Sequence, residues 1–283
     1  MMQQTRKNKP SAYRSPDASI FYSVGIVLLS VVVITFIVSL FITPYSPDAT
    51  DAASKLMAPS PLHPFGTDNF GRDVLSRVMA ASKYTIFISI AGVAIALILG
   101  TAAGIPAGYY GGWTDKGIML FGNSIMCFPG ILLALVAVAV FGASVTNVIW
   151  ALGLVFAPTF ARVCRVGTME IKELDYITHA RVMGVKTSRI MTLHIFPNLV
   201  PQLLPATVIG LANMTLFESG MSYLGLGVQP PDASFGKMLA DAQAYIRVAP
   251  WLIIFPALML VFYILGLYFL SEGLRVTLSK GGT

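Results

Sequence analysis

An ionisable side chain within a long apolar stretch is the first candidate for chemistry in this sequence. Glu218 stands among leucine, phenylalanine, methionine and glycine residues. A carboxylate in such a segment is unfavourable unless it faces protein or water, so it is either a functional residue or the anchor of a packed bundle. Asn213 and Asn123 also lie in apolar segments, and they are weaker candidates for hydrogen bonds between helices or for lining a path.

A second group of charges, Asp68, Arg72 and Asp73, lies outside the apolar segments. If these residues were catalytic, they would form a carboxylate cluster for acid–base catalysis. Gly66 and Gly71 accompany it, and glycines at such spacing are typical of a tight turn. We therefore expect these charges to fix the turn or to contact a partner.

The sequence gives little support for a metal site or a nucleotide-binding site. Several apolar segments separate His63 from His179 and His194, and neither Cys127 nor Cys164 neighbours a histidine or another cysteine at the spacing of metal ligands. The loop GxxxxGK[ST], which binds nucleotide phosphates, does not occur. The sequence predicts no catalytic, cofactor or metal site in this chain, so any ATP hydrolysis must occur in another protein.

Segment 170–197 is polar and carries a helical pattern. Ile177, Ala180 and Met183 recur at a spacing of three, which places them on one helical face. Gly184 can end that helix, and Pro197 permits a sharp return into the membrane. The predicted helix, bend and second helix would project from the membrane. The projection would either dock into a groove of a soluble partner or lie on anionic lipid.

The composition shows what surrounds these residues. Of 283 residues, 55% are hydrophobic and 11% are charged, and the mean hydropathy is +0.74. Soluble domains carry about 25% charged residues, so most of this surface must face lipid rather than water. The net charge of +6 comes from basic residues distributed between apolar segments, not from one patch, which argues against nucleic-acid binding.

About six segments are long and apolar enough to span a membrane, where roughly 20 residues are needed. The first segment is longer than the apolar part of a signal peptide, which has about 7–15 residues, so we expect it to be retained. A turn at 141–144 divides the third from the fourth, and Pro158 interrupts the end of the fourth. The predicted spans are 21–42, 84–110, two within 117–161, 199–221 and 248–271.

The distribution of basic residues predicts the orientation. With six spans both termini share one side, and that side, together with 162–197, holds thirteen of the 19 lysines and arginines. Positive charge is enriched in cytoplasmic loops. Both termini and segment 162–197 are therefore expected in the cytoplasm.

The polar segment resembles a known motif. Residues 176–184, Tyr-Ile-Thr-His-Ala-Arg-Val-Met-Gly, followed by Ile-Phe-Pro-Asn at 195–198, are similar to the EAA loop of binding-protein-dependent permeases. Ala180, Gly184 and Pro197 match the motif, whereas Thr178 stands where its Glu is usual and His179 where its first Ala is usual. In that family the loop is a coupling helix seated in a cleft of the ATPase. The resemblance therefore implies coupling roles for Tyr176, Thr178, His179, Ala180, Gly184 and Pro197.

Other stretches resemble one branch of that family. Residues 63–77, 222–231, 249–251 and 272–275 look like the signatures of C-type permeases of peptide/nickel importers, and the likeness extends over nearly the whole chain from about residue 12. The resemblance implies an acidic residue at position 218 whatever the cargo, which favours the structural role for Glu218. It is not specific to peptides, nickel or other chelated metals.

The resemblance implies an all-α membrane protein with the architecture of a type I ABC importer permease and a cytoplasmic coupling helix. Residues 1–83 would be a cytoplasmic tail, the first span and an external loop. Residues 84–273 would form a five-helix core with the coupling loop 170–197, and 274–283 a cytoplasmic tail.

The expected function is that of a permease subunit, without enzymatic activity of its own, in the bacterial inner membrane. Its expected partners are a second, B-type permease, two cytoplasmic ATPases that use ATP and Mg, an extracytoplasmic substrate-binding protein and membrane lipid. The alternative is an ion-coupled secondary transporter, a class in which inverted repeats and buried ionisable residues are common. The sequence shows no convincing repeat and one buried carboxylate, which favours the importer.

Overall fold

The computed structural model describes residues 18–281, with side chains from 19 to 278, and the basic N-terminal tail lies outside this range. The described chain is helical. Its helices are α1 (Ala18–Phe41), α2 (Val74–Tyr110), α3 (Gly112–Met126), α4 (Gly130–Phe141), α5 (Val145–Ile171), α6 (Asp175–Val182), α7 (Thr187–Arg189), α8 (Phe196–Tyr223), α9 (Phe235–Ala242) and α10 (Trp251–Gly281). A π-helical turn, Ile190–Ile195, joins α7 to α8, and 3₁₀ turns cover Ala52–Ser54 and Gln243–Tyr245.

The number of crossings agrees with the sequence. Within the described residues, α1, α2, α5, the continuous stretch Thr187–Tyr223 and α10 are long and apolar enough to span a membrane. The pair α3 and α4 adds a sixth crossing if it counts as one span, although the two helices meet at a bend of 84°. The all-α architecture with about six spans is therefore confirmed. The break at 127–129, next to Pro129, was not predicted.

The second span begins ten residues earlier than predicted, so the expected boundary at 83/84 falls inside α2. The Asp73 side chain caps this helix by accepting a hydrogen bond from the Ser76 backbone N–H. The prediction began at 84 because Arg77 and Lys83 were assigned to an external loop. Arg77 is instead buried within the helix, and its guanidinium lies 3.4 Å from a carboxylate oxygen of Asp48.

The centre of the core is the contact between α2 and α5, which depends on residues without side chains. A Cβ atom on Gly100 would lie 2.5 Å from the Cβ of Phe160, and one on Gly104 would lie 2.4 Å from the carbonyl oxygen of Ala161. Gly108 continues the same spacing along α2. These glycines let the two backbones approach closely, as is common between membrane helices.

Three further helix ends differ from the expected bounds. Helix α5 includes Pro158 without a break and continues past the expected end at 161 to Ile171. Residues 274–281, expected to be a tail, continue helix α10, and Arg275 pairs with Glu272 on the surface of that helix at 2.8 Å. Pro197 makes no sharp turn, since it occupies the first turn of α8, where a proline needs no hydrogen-bond donor.

Charges outside the spans fix the loop before α2, as expected. The Asp68 carboxylate accepts hydrogen bonds from the backbone N–H groups of Phe70 and Arg72 and pairs with the Arg72 guanidinium at 2.6 Å. Asp73 caps α2 and contacts His63 at 2.9 Å. Every one of these carboxylates has a structural partner, and their arrangement explains the turn without catalysis.

Candidate coupling surface and polar path

The predicted coupling segment forms a short helix followed by a reversal of the chain. Helix α6 ends at Val182, and Gly184 adopts a φ of +74°. The N–H of Val185 donates to the carbonyl of Ala180, and the N–H of Gly184 donates to that of Arg181. This pair of bonds is a Schellman motif, which a glycine in the left-handed region completes at low cost. The bend expected at Gly184 is therefore present.

A depression of about 520 Å³ lies beside α6. It brings together Tyr176, His179 and Ala180 of the predicted set. Its lining residues are Asp175, Tyr176, His179, Ala180, Met183, Val185 and His194. Thr178 is exposed outside this depression, and Pro197 lies in α8, away from it. The small side chain of Ala180 is part of what keeps the depression open.

One face of α6 is oriented differently from the prediction. Ile177 was expected to share a docking face with Ala180 and Met183, but it is fully buried in the protein's own core and attaches the helix to the bundle. Val182 and Met183 are each 83% exposed. Val182 was not among the predicted residues. Its only sequence signal is that it is a large apolar residue in a polar segment, and the helical spacing alone did not show that it faces outward.

Glu218 lies in a closed polar cluster near the end of α8. The residue is fully buried, and its carboxylate accepts a hydrogen bond of 2.7 Å from the Ser222 hydroxyl and a longer one from Ser219. The hydroxyls of Ser234 and Thr85 lie near it, although the Thr85 hydroxyl makes no hydrogen bond with a described residue. Ser222 in turn accepts from the backbone N–H of the loop after α8, at Val228. The cluster joins α8, α2 and the segment before α9, and it gives Glu218 a structural environment.

Asn123 and Asn213 are exposed, unlike Glu218. The Asn123 side-chain oxygen accepts a hydrogen bond of 3.0 Å from Arg162 of α5, and the same guanidinium lies 3.3 Å from the sulfur of Met126. Arg162 belongs to an exposed stripe on α5 at helical spacing, formed by Thr159, Arg162, Val166, Met169 and Glu170.

Helix α8 borders this stripe on the side opposite α3. The Gln202 amide of α8 lies 3.3 Å from Glu170, the last member of the stripe. Asn213 is exposed three turns further along α8, on nearly the same face as Gln202. The stripe thus lies on α5 between α3 and α8, with Asn123 on one side and Asn213 on the other. Polar groups on a membrane helix normally face protein or water rather than lipid.

Comparison with known proteins shows which family the chain belongs to. Residues 96–281 match the family described as binding-protein-dependent transport system inner membrane components. This match covers more than half of the chain, including α3 to α10. The chain belongs to this family. It is therefore a multi-pass permease of the inner membrane and belongs with the permeases of ABC importers for peptides.

Individual relatives are similar over nearly the full length of this permease. It is 34% identical to the dipeptide transport system permease protein DppC of Alkalihalophilus pseudofirmus, over 89% of this chain and 83% of the relative. It is 35% identical to a putative peptide transport system permease protein of Brucella suis, over 90% and 86%. It is 36% identical to the glutathione transport system permease protein GsiD of Escherichia coli, over 86% and 82%.

Proposed function

We propose that this permease is one of the two membrane subunits of an ATP-driven peptide importer and is coupled to the ATPase through α6. The observation that carries the proposal is the geometry of α6. The helix is anchored to the bundle by buried Ile177, ends in a fixed reversal at Gly184, and presents an open depression with exposed Val182 and Met183 beside it. An anchored helix with an apolar tip suits docking into a groove of a soluble partner.

The other proposed components are those that the resemblance to the family implies. A second, B-type permease would complete the path, and two cytoplasmic ATPases would hydrolyse ATP with Mg. An extracytoplasmic binding protein would deliver the cargo. ATP-driven closure of the ATPases would move α6, and α6 would move the bundle through Ile177 and α8. Coupling of this kind needs an element with two arrangements whose equilibrium both partners bias.

The relatives favour peptides as the cargo. Their names give dipeptides, peptides and glutathione, all of which carry an amide bond and a free carboxylate. Nickel or another chelated metal, which the resemblance of the sequence also allowed, has no support from these names. We therefore propose short peptides as the substrate class.

Uptake into proteoliposomes tests the proposal. The permease would be reconstituted with its B-type partner, the ATPases and the binding protein, and uptake of a radiolabelled tripeptide would be measured with internal or external ATP and Mg. We expect uptake that requires ATP on the α6 side and the binding protein, and that persists when ionophores remove ion gradients. Uptake that needs an ion gradient but no ATPase would instead support the ion-coupled secondary transporter.

A further inference from the structure

We propose that Arg162 and Asn123 form a binding station for a carboxylate of the cargo on the exposed stripe of α5. This inference rests on the proposed function and adds to it the chemistry of one point on the path. It concerns a guanidinium that is exposed on a membrane helix and that the packing of the bundle does not neutralise.

Two arginines on adjacent turns of α5 differ in their partners. Arg165 makes two hydrogen bonds to the Asp115 carboxylate of α3, so its charge is neutralised within the chain. Arg162 forms no ion pair with any described side chain. Its partners are the neutral oxygen of Asn123 and the sulfur of Met126. A guanidinium has five N–H donors in a planar fork, so most donors of Arg162 remain available for a ligand.

The position of Arg162 also favours a ligand. It lies about 25 Å along α5 from Val145, within the helix rather than in a loop. A guanidinium that faces hydrocarbon is costly, so we expect the exposed side of Arg162 to face water or protein. Contact with the last turn of α3 stabilises the positive charge through the helix dipole, but this contact uses only one side of the fork.

Asn123 adds an unused donor next to Arg162. Because its oxygen accepts from Arg162, its amide nitrogen is left as a donor on the same exposed surface. A guanidinium fork beside an amide N–H matches the two oxygens of a carboxylate, which guanidinium binds in a bidentate manner. The remaining neighbour, Met126, supplies no competing negative charge. A station of this kind binds weakly enough to release cargo, as a path requires.

The test compares a tripeptide with its C-terminal amide in the complete reconstituted importer. The peptide is chosen so that the binding protein binds both forms, and both are supplied at concentrations that saturate it. Initial uptake rates per assembled complex give the ratio of acid to amide. The variants are R162Q, R162K and, as a matched control one turn away, R165Q.

We expect wild-type uptake of the acid to exceed that of the amide about tenfold, the effect typical of one lost charge-assisted hydrogen bond. R162Q should lower acid uptake to the level of the amide and leave amide uptake unchanged, while R162K should keep an intermediate ratio. R165Q should keep the wild-type ratio even if total uptake falls.

Three results would overturn the inference. Equal uptake of both forms by the wild type would show that no carboxylate is recognised on the path. A wild-type ratio in R162Q would show that Arg162 does not recognise it. Equal loss of both forms in R162Q and R162K, with less assembled complex, would make Arg162 a contact to the second permease. If the wild type imported neither peptide, the proposed cargo class itself would be wrong.

Discussion

The two ends of α8 differ in how far the described chain itself covers the residues beside them. Near its last turn, Glu218 is fully buried and its partners are hydroxyl groups of the same chain. Before its first turn, the segment around α6 exposes apolar Val182 and Met183 and an open depression. The first end has its contacts within the described chain, whereas the second leaves an apolar surface exposed, which the proposed function assigns to a partner.

The largest expected effect concerns the side of the membrane on which each end lies. In a Cys127→Ser background, single cysteines at exposed Lys55 and Ser188 would be treated with an impermeant thiol reagent on intact cells. The second native cysteine, Cys164, is buried. We expect labelling of the cysteine at 55 and protection of that at 188 until the cells are opened. The reverse labelling pattern would place α6 outside the cell and contradict its proposed contact with a cytoplasmic ATPase.

The next effect tests whether the Glu218 end is structural. Glu218→Leu should strongly reduce the yield and Tm of assembled importer, because Ser222 and the neighbouring hydroxyls lose their acceptor, at about 1–3 kcal/mol for each buried group left unpaired. Glu218→Gln keeps a side-chain oxygen, so assembly and most of the transport should remain. A Gln variant that assembles normally but transports nothing would instead give Glu218 a direct role in the path.

A smaller effect is expected at the bend after α6. A Cβ on Gly184 would meet no atom within 4 Å, so any effect of substitution there comes from the φ of +74°. Gly184→Val should destabilise the bend by about 1–2 kcal/mol and reduce transport several-fold, while Gly184→Asn, which tolerates this region, should retain most of it. Transport assays on both variants, at equal amounts in the membrane, make the comparison. Equal loss in both would point to steric closure by a partner instead of backbone strain.

The smallest effect is expected at Thr178, which lies exposed on α6 outside the depression. Thr178→Glu restores the residue usual in the family's motif and places a negative charge near the start of the helix, where it is slightly favourable. We expect a change within about 0.5 kcal/mol in stability and unchanged transport. A large loss of transport would show that this position contacts an acidic or tightly fitting part of the partner.

The sequence predicted the number of spans, the short helix and the bend at Gly184, because apolar length and helical spacing are local properties. It could not predict that Ile177 turns inward while Val182 turns outward, since that depends on how α6 packs against the bundle. The end of the fourth span was expected at 161, where charged residues begin, but α5 continues to Ile171 with Arg162 exposed on its surface. Arg162 was counted only as a cytoplasmic charge, and its place on the exposed stripe became visible only from the packing of α3 and α8.

Cargo-stimulated ATP hydrolysis by a size series at Ala180 tests the central claim most directly. Ala180 lines the depression beside α6, and filling a fitted contact typically costs about 1–3 kcal/mol. In reconstituted importer with loaded binding protein, Ala180→Ser should keep the stimulation, Ala180→Val should reduce it, and Ala180→Trp should abolish it although the variant inserts into the membrane at the normal level. Full stimulation in the Ala180→Trp variant would show that the surface around α6 is not where this permease couples to its ATPase.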